Sequence, residues 1–353
     1  MRIFVTDCEG PISKNDNAME LAAHFVPQGE AFFALLSRYD DYLAYVEERP
    51  GYKAGDTLRL ILPFLKAFGA TDEKIEEYSR AHILLVPGAE ETLKFIRGKM
   101  PAFIISTSYE PYIKALCEVI DFPFQNAYGT ELELDRYPLP QKEEGYLREV
   151  AGEIARMPMI EWGEGASGLA DLSSQGREVV QQLNQVFWEE LGGMQIGRVL
   201  EEVDPIGGEG KAAALRAILQ RSGAEISGAM YVGDSITDLQ ALEMVKKEGG
   251  LAVSFNGNAY AIQGAQVACL GKDTGIISIA AQLFAARGAE EVIALLPQWD
   301  EERLRSAGVE KALLTHLSGA EIGEITPDNQ ALWTERSQQF RKQVRGIRIG
   351  SLG

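Results

Sequence analysis

The chain has 353 residues, 46% of them hydrophobic, which is enough to bury a full core in more than one domain, or in one domain with large insertions, and excludes wholesale disorder. A formal charge of -18, from 34 basic and 52 acidic residues, repels nucleic acid and anionic membrane surfaces, so a small substrate or a protein partner is expected. Cys8, Cys117 and Cys269 have neither Cys-x-x-Cys spacing nor an even count, so neither a disulfide framework nor a thiolate metal site is indicated. The absence of a bilayer-length apolar run and a start directly in strand-like sequence lead to the expectation of a cytoplasmic protein without membrane insertion.

Residues 2–6 form a short apolar run bounded by an acidic Gly-Pro turn, which predicts a buried strand. From residue 17 to 84 the apolar positions fall at three- and four-residue spacing, as in Leu35, Leu36, Tyr39, Tyr42, Leu43 and Val46, which predicts a helical insertion. Pro87-Gly88 restarts an alternating pattern: a helix over 89–98, a strand over 102–105 ending in Ser106-Thr107-Ser108, and a helix from about Pro111. Strands are expected over 122–128 and 131–134, then a second, mostly helical insertion over 138–203.

Gly210-Lys211 opens a helix through Leu219, and strands follow at 228–232, 251–255 and 267–270. The remainder is expected to be helical, with segments over 276–286 and 301–317. It ends in a basic run, Arg341, Lys342, Arg345 and Arg348, and the segment as a whole is expected to brace the core or form a dimer contact. The whole reads as an α/β protein. A Rossmann-like parallel sheet flanked by helices comes from residues 1–16, 85–137 and 204–273, with a helical cap over 17–84, a second helical insertion over 138–203 and a C-terminal helical extension over 274–353.

In an open parallel sheet the carboxyl ends of strands share one rim, so Asp7 and Glu9 can meet Asp234 and Asp238 despite more than two hundred intervening residues. Each acid also has an ordinary role available, Asp7 as a turn residue and Asp234 or Asp238 as a cap or first-turn acid. Gathered together, like charges about 4 Å apart repel by about 4 kcal/mol per pair at an effective dielectric of 20, so a cation is required. Lys211, on a glycine-rich helix start, supplies one charge, and Mg²⁺ suits hard carboxylate ligands at a phosphate site. Ser106, with Thr107 as its nearest substitute, stands where a strand end offers a hydroxyl and backbone N–H groups to an oxyanion, or simply caps the next helix.

The order Asp-x-Glu-Gly, strand-terminal Ser, Lys at a helix start and Gly-Asp-x-x-x-Asp resembles the four motifs of the haloacid dehalogenase superfamily. The resemblance covers the core and not the insertions. Pro87-Gly88-Ala89-Glu90-Glu91-Thr92-Leu93, the Ile105-Ser106 strand end and Gly250-Leu251-Ala252-Val253-Ser254-Phe255-Asn256 resemble its phosphoserine phosphatase branch. It implies Asp7 as a nucleophile forming an aspartyl phosphate, Glu9 as acid for the leaving oxygen, and Ser106, Thr107 and Lys211 on the phosphoryl group. It further implies Mg²⁺ held by Asp7, the Glu9 carbonyl and Asp234, with Asp238 in support.

Glu9 stands where the superfamily usually has Asp, although enolase-phosphatases share Asp-x-Glu-Gly. Pro11 replaces the common Thr or Ser, and Thr107-Ser108 replace small glycines. The Asp-Cys-Glu-Gly-Pro opening is also similar to a group labelled as energy-converting hydrogenase A subunit R. The expected activity is a Mg²⁺-dependent phosphatase acting on a small phosphorylated metabolite. A phosphotransferase or mutase on the same site, and a non-catalytic assembly subunit, are the alternatives. A homodimer or a protein-complex partner is compatible with the C-terminal extension. The cap cations Lys14, Arg38, Lys53 and Arg59 are possible substrate contacts, or pair with acids such as Asp40, Asp41 and Asp56.

Overall fold

The computed structural model describes residues 1–163 and 165–346; Arg348 lies outside the described residues. Seven strands form one sheet: β1 (Ile3–Thr6), β2 (Ala102–Tyr109), β3 (Ala127–Thr130), β4 (Ala229–Gly233), β5 (Leu251–Phe255), β6 (Val267–Leu270) and β7 (Glu321–Glu324). Their spatial order is β3-β2-β1-β4-β5-β6-β7, parallel throughout except for β7, which runs antiparallel to β6. The chain leaves β1 for β2 on one side and later enters β4 on the other. The switch point of this α/β sheet therefore lies beside the carboxyl end of β1, where such sheets open a crevice.

Strand composition explains why the sheet is buried on both faces. Alternate residues divide between two apolar clusters: Phe4, Met230 and Val232 pack on one face, and Ile3, Val5, Ala229 and Tyr231 on the other. Covering these faces are α5 (Ala89–Arg97), α6 (Glu110–Val119), α10 (Glu209–Ser222), α11 (Leu239–Lys247), α12 (Ala259–Gly264) and α13 (Gly275–Arg287). After β1 come α1 (Asn17–Phe25), α2 (Gly29–Tyr45), α3 (Thr57–Ala67) and α4 (Asp72–Ala81). The later insertion holds α7 (Gln141–Ile154), α8 (Ser174–Asn184) and α9 (Arg198–Glu202).

Helices from these two insertions share one apolar cluster, in which Phe32, Tyr39 and Phe64 meet Leu147, Leu183 and Phe187. The C-terminal stretch contains α14 (Ala289–Leu295), α15 (Glu301–Ser306), the edge strand β7 and α16 (Gln330–Arg345).

Several expected elements differ in extent. The expected strand over 102–105 continues to Tyr109, with a register irregularity against β3 between Ile105 and Tyr109, so Ser106, Thr107 and Ser108 lie within β2. No strand forms over 131–134: β3 stops at Thr130, whose hydroxyl donates to Thr107 O at 2.6 Å and accepts from Ile206 N at 3.1 Å. The helix expected over 301–317 ends at Ser306, because Gly308 takes the left-handed conformation (φ +91°). Gly308 N bonds Arg305 O and Val309 N bonds Leu304 O, both at 3.0 Å, as in a Schellman turn. Among the described residues no helix is long and apolar enough to cross a membrane.

Candidate functional site

Asp7 follows β1 directly, and its N–H bonds Val232 O of β4 at 2.8 Å, so the register of the central strands fixes its place. One carboxylate oxygen, Oδ1, accepts from Cys8 N at 2.7 Å; the other, Oδ2, lies 2.8 Å from Lys211 Nζ. The Lys211 ammonium, with a side chain 0% exposed, also bonds Asp238 Oδ1 at 2.8 Å. Burial alone would lower its pKa, but Asp238 and Asp7 outweigh that and hold it above the ordinary lysine value. The lysine is therefore a buried bridge between two acids, not a solvated surface group.

Asp238 is saturated by the chain itself. Its Oδ1 also accepts from Tyr231 OH at 2.8 Å, and Oδ2 accepts from Asp234 N at 3.0 Å and Ser235 N at 3.1 Å. Burial would raise its pKa, yet Lys211 and these donors bring it below the usual carboxylate value. Asp238 thus shapes the turn that presents Asp234. Carboxylate oxygens of Asp7, Asp234 and Asp238 lie within 4.8 Å of one another.

Asp234 sits tightly against the first turn. Gly10 adopts φ +106°, and a Cβ there would stand 2.2 Å from Asp234 Oδ2, so only glycine permits the approach. Two arginines from α16 meet the same oxygen: Arg341 through Nη1, and Arg345 through Nη1 at 3.1 Å. Arg341 also donates to Asp234 O at 3.1 Å, while Arg345 donates to the carbonyls of Lys14, at 3.3 Å, and Asn15. The second carboxylate oxygen, Asp234 Oδ1, is buried and has no hydrogen-bond partner.

Glu9 is half-buried, and its Oε1 accepts from Asn17 N at the start of α1 at 2.7 Å. Burial and then Asp16 push its pKa well above the ordinary value, with Arg345 opposing. Burial, and then Asp238, likewise push Asp7 well up. Ser106 is buried and its Oγ accepts from Ser108 N at 3.1 Å; Thr107 spends its hydroxyl on Ile206 O at 3.0 Å. These residues line one pocket of about 130 Å³ with Asp7, Glu9, Asp16, Asp234, Asn258, Arg341 and Arg345; Lys211 adjoins it through Asp7. Across from the strand ends stand Phe33, Ser37, Asp40 and Asp41 of α2, and Gly55, Thr57 and Leu58 where α3 begins.

All seven expected site residues, Asp7, Glu9, Ser106, Thr107, Lys211, Asp234 and Asp238, therefore gather at one end of the sheet. Lys14, Arg38, Lys53 and Arg59 do not line the pocket. Arg38 stacks 3.3 Å from the Trp162 ring centre, Lys53 pairs with Asp204, and Arg59 pairs with Asp56.

Sequence reasoning missed Asp16, Arg341 and Arg345. Asp16 had a visible cap signal, since its Oδ1 accepts from Met19 N at 3.0 Å, but nothing in its spacing pointed inward. The requirement for a cation is met in part by these arginines, so repulsion among the acids does not by itself demand a metal. The buried, unpartnered Asp234 Oδ1, with Asp7 close beside it, fits one divalent cation.

No family model matches the chain, and no curated protein does. Over 100% of its length the chain is similar to a solved gene product from Archaeoglobus fulgidus, at 28% identity and a TM-score of 0.82, covering 99% of that chain. It is similar over 75% of its length to a phospho-aspartyl intermediate analogue of phosphoserine phosphatase, at 14% identity and a TM-score of 0.42, covering 90% of that chain. A substrate-bound phosphoserine phosphatase complex gives 14% identity and a TM-score of 0.41, over 76% of this chain and 91% of that one.

Proposed function

We propose that this protein is a Mg²⁺-dependent phosphatase of the haloacid dehalogenase type, acting on a small phosphorylated metabolite through an aspartyl phosphate on Asp7. The observation that carries this reading is the Asp7–Lys211–Asp238 bridge beside Asp234, assembled at the switch point from three separate sequence motifs. The pocket under the insertion helices, about 130 Å³, is smaller than the roughly 300–1,000 Å³ of drug-sized sites and so restricts an occupant to a small molecule.

In the first step an Asp7 carboxylate oxygen attacks phosphorus, the ester P–O bond breaks, and Glu9 gives its proton to the departing oxygen. In the second step water gives its proton back to Glu9 and attacks phosphorus. The bond from phosphorus to Asp7 breaks, releasing inorganic phosphate and restoring the carboxylate. Lys211 and Ser106 stabilise charge on the phosphoryl oxygens. Asp7 and Asp234 would hold the cation, which when bound supplies Lewis-acid polarisation of a phosphoryl oxygen.

A second, non-catalytic reading draws on the arginines already seated on Asp234. Turnover of a phosphate-ester panel with Mg²⁺ separates the two. Asp7→Asn is expected to lower phosphate release by about 10³-fold or more while leaving the fold intact. Release from the variant at the wild-type rate contradicts nucleophilic attack by Asp7.

A further inference from the structure

The C-terminal helix is built onto the sheet before it reaches the site. β7 pairs with β6, Asn329 and Trp333 donate to Glu324 O at 2.9 and 3.3 Å, and the buried Ser337 donates to Gly257 O at 2.7 Å. The last turns of α16 then deliver two guanidiniums, with side chains 5% and 6% exposed, to one carboxylate oxygen. Buried charge persists only where it is paired, so this double contact is the electrostatic purpose of the helix end. Among the described acids of the cluster only Asp234 forms ion pairs with two arginines, although both guanidiniums also lie close enough to act on Asp16.

Resting on the cation reading above, we propose that Arg341 and Arg345 are built-in counter-ions that compete with a divalent cation for Asp234 and thereby set the cation affinity of the site. Two observations support it independently of the sequence motifs. Asp234 carries an unpartnered oxygen beside the one the arginines hold, so the carboxylate is half-committed. Arg345 also ties Asp234 to the Lys14 and Asn15 carbonyls, which places its charge between the first turn and the β4 turn. A fixed positive charge there repels an arriving cation, so removing it tightens cation binding, whereas a merely structural arginine would weaken binding when lost.

The test is Mg²⁺ titration calorimetry on the full chain, with Arg345→Gln, Arg345→Lys and Arg341→Gln. Glutamine keeps an N–H donor at the Nε position, facing Lys14 O, and loses the charge together with the Nη2 contact to Asn15 O. Arg345→Gln is expected to bind Mg²⁺ roughly tenfold or more tightly than wild type, and Arg345→Lys to stay within about threefold of wild type. Arg345→Gln is also expected to melt lower than wild type without Mg²⁺ and to recover at saturating Mg²⁺. Unchanged or weaker binding by a folded Arg345→Gln overturns the counter-ion role. If that variant does not fold, Arg341→Gln is judged by the same criterion. Absence of Mg²⁺ binding in every form overturns the cation reading itself, an outcome distinct from equal affinities.

Discussion

Lys211 is the residue on which the site's electrostatics turn. It is the bridge between Asp7 and Asp238, and its removal leaves both carboxylates buried without their cation. Lys211→Met is therefore expected to destabilise the fold by about 3–5 kcal/mol, read by urea unfolding at neutral pH. A loss below about 1 kcal/mol would mean that water reaches the pair.

Asp40, on the insertion side of the pocket, makes a pH prediction. Burial, and then the neighbouring Asp41, push its carboxyl up to about 8 from the ordinary aspartate value of 3.8, against donors from Gly55 at 2.9 Å and Tyr52 at 2.7 Å. Between those values the folded chain keeps a proton that the unfolded chain releases. The group's contribution is thus lost as pH rises, by at most about 1.4 kcal/mol per unit, and the slope ends near pH 8. Asp41, raised to about 6 by burial, adds a slope of the same sign at the lower end of that range. Unfolding free energies of Asp40→Asn and wild type, measured from pH 4 to 8, are expected to shift in favour of the variant with rising pH. Parallel curves would show that the donors keep Asp40 ionised.

At the scale of elements, the central sheet was legible because its strands are short, apolar and closed by punctuating glycines or acids. β5 and β6 occupy the expected residues, and β4 is displaced by one. Where tertiary bonds overrule local pattern, the sequence was silent. Thr130 ends β3 through contacts to Thr107 and Ile206, far away along the chain. β7 reads Glu-Ile-Gly-Glu, too short and polar to announce a strand, and exists by pairing with β6.

Asp7 and Asp234 were readable because each follows a strand, and Lys211 because it opens a helix, whereas Ser106 and Thr107 lie inside β2 rather than at its end. Arg341 and Arg345 were visible only as a basic helix end, since four-residue spacing gives two guanidiniums one face without saying what that face meets.

For the whole molecule, the two insertions behave as one body over the pocket. Phe187 of the later insertion packs with Tyr39 and Phe64 of the earlier one, at ring-centroid distances of 6.0 Å in both cases. The core strand β2 reaches the same body, with Tyr109 OH donating to Leu58 O at 2.6 Å. Phe187→Ala is expected to cost about 3–5 kcal/mol and to loosen both insertions together. Hydrogen exchange should then rise in α2 and α3 as well as α8, whereas exchange confined to α8 would show that the insertions open separately.

The architecture brings Asp7 to a switch point with its lysine bridge, the pocket-lining Ser106 and a covering body of helices, and the proposed function requires this carboxylate to take the phosphoryl group. The direct measurement is peptide mass mapping after rapid acid quench of the full chain mixed with acetyl phosphate and Mg²⁺. A phosphoryl adduct is expected on Asp7 and is expected to be absent from Asp7→Asn. Phosphate release by the wild type with no adduct on Asp7, and undiminished release by Asp7→Asn, would contradict it.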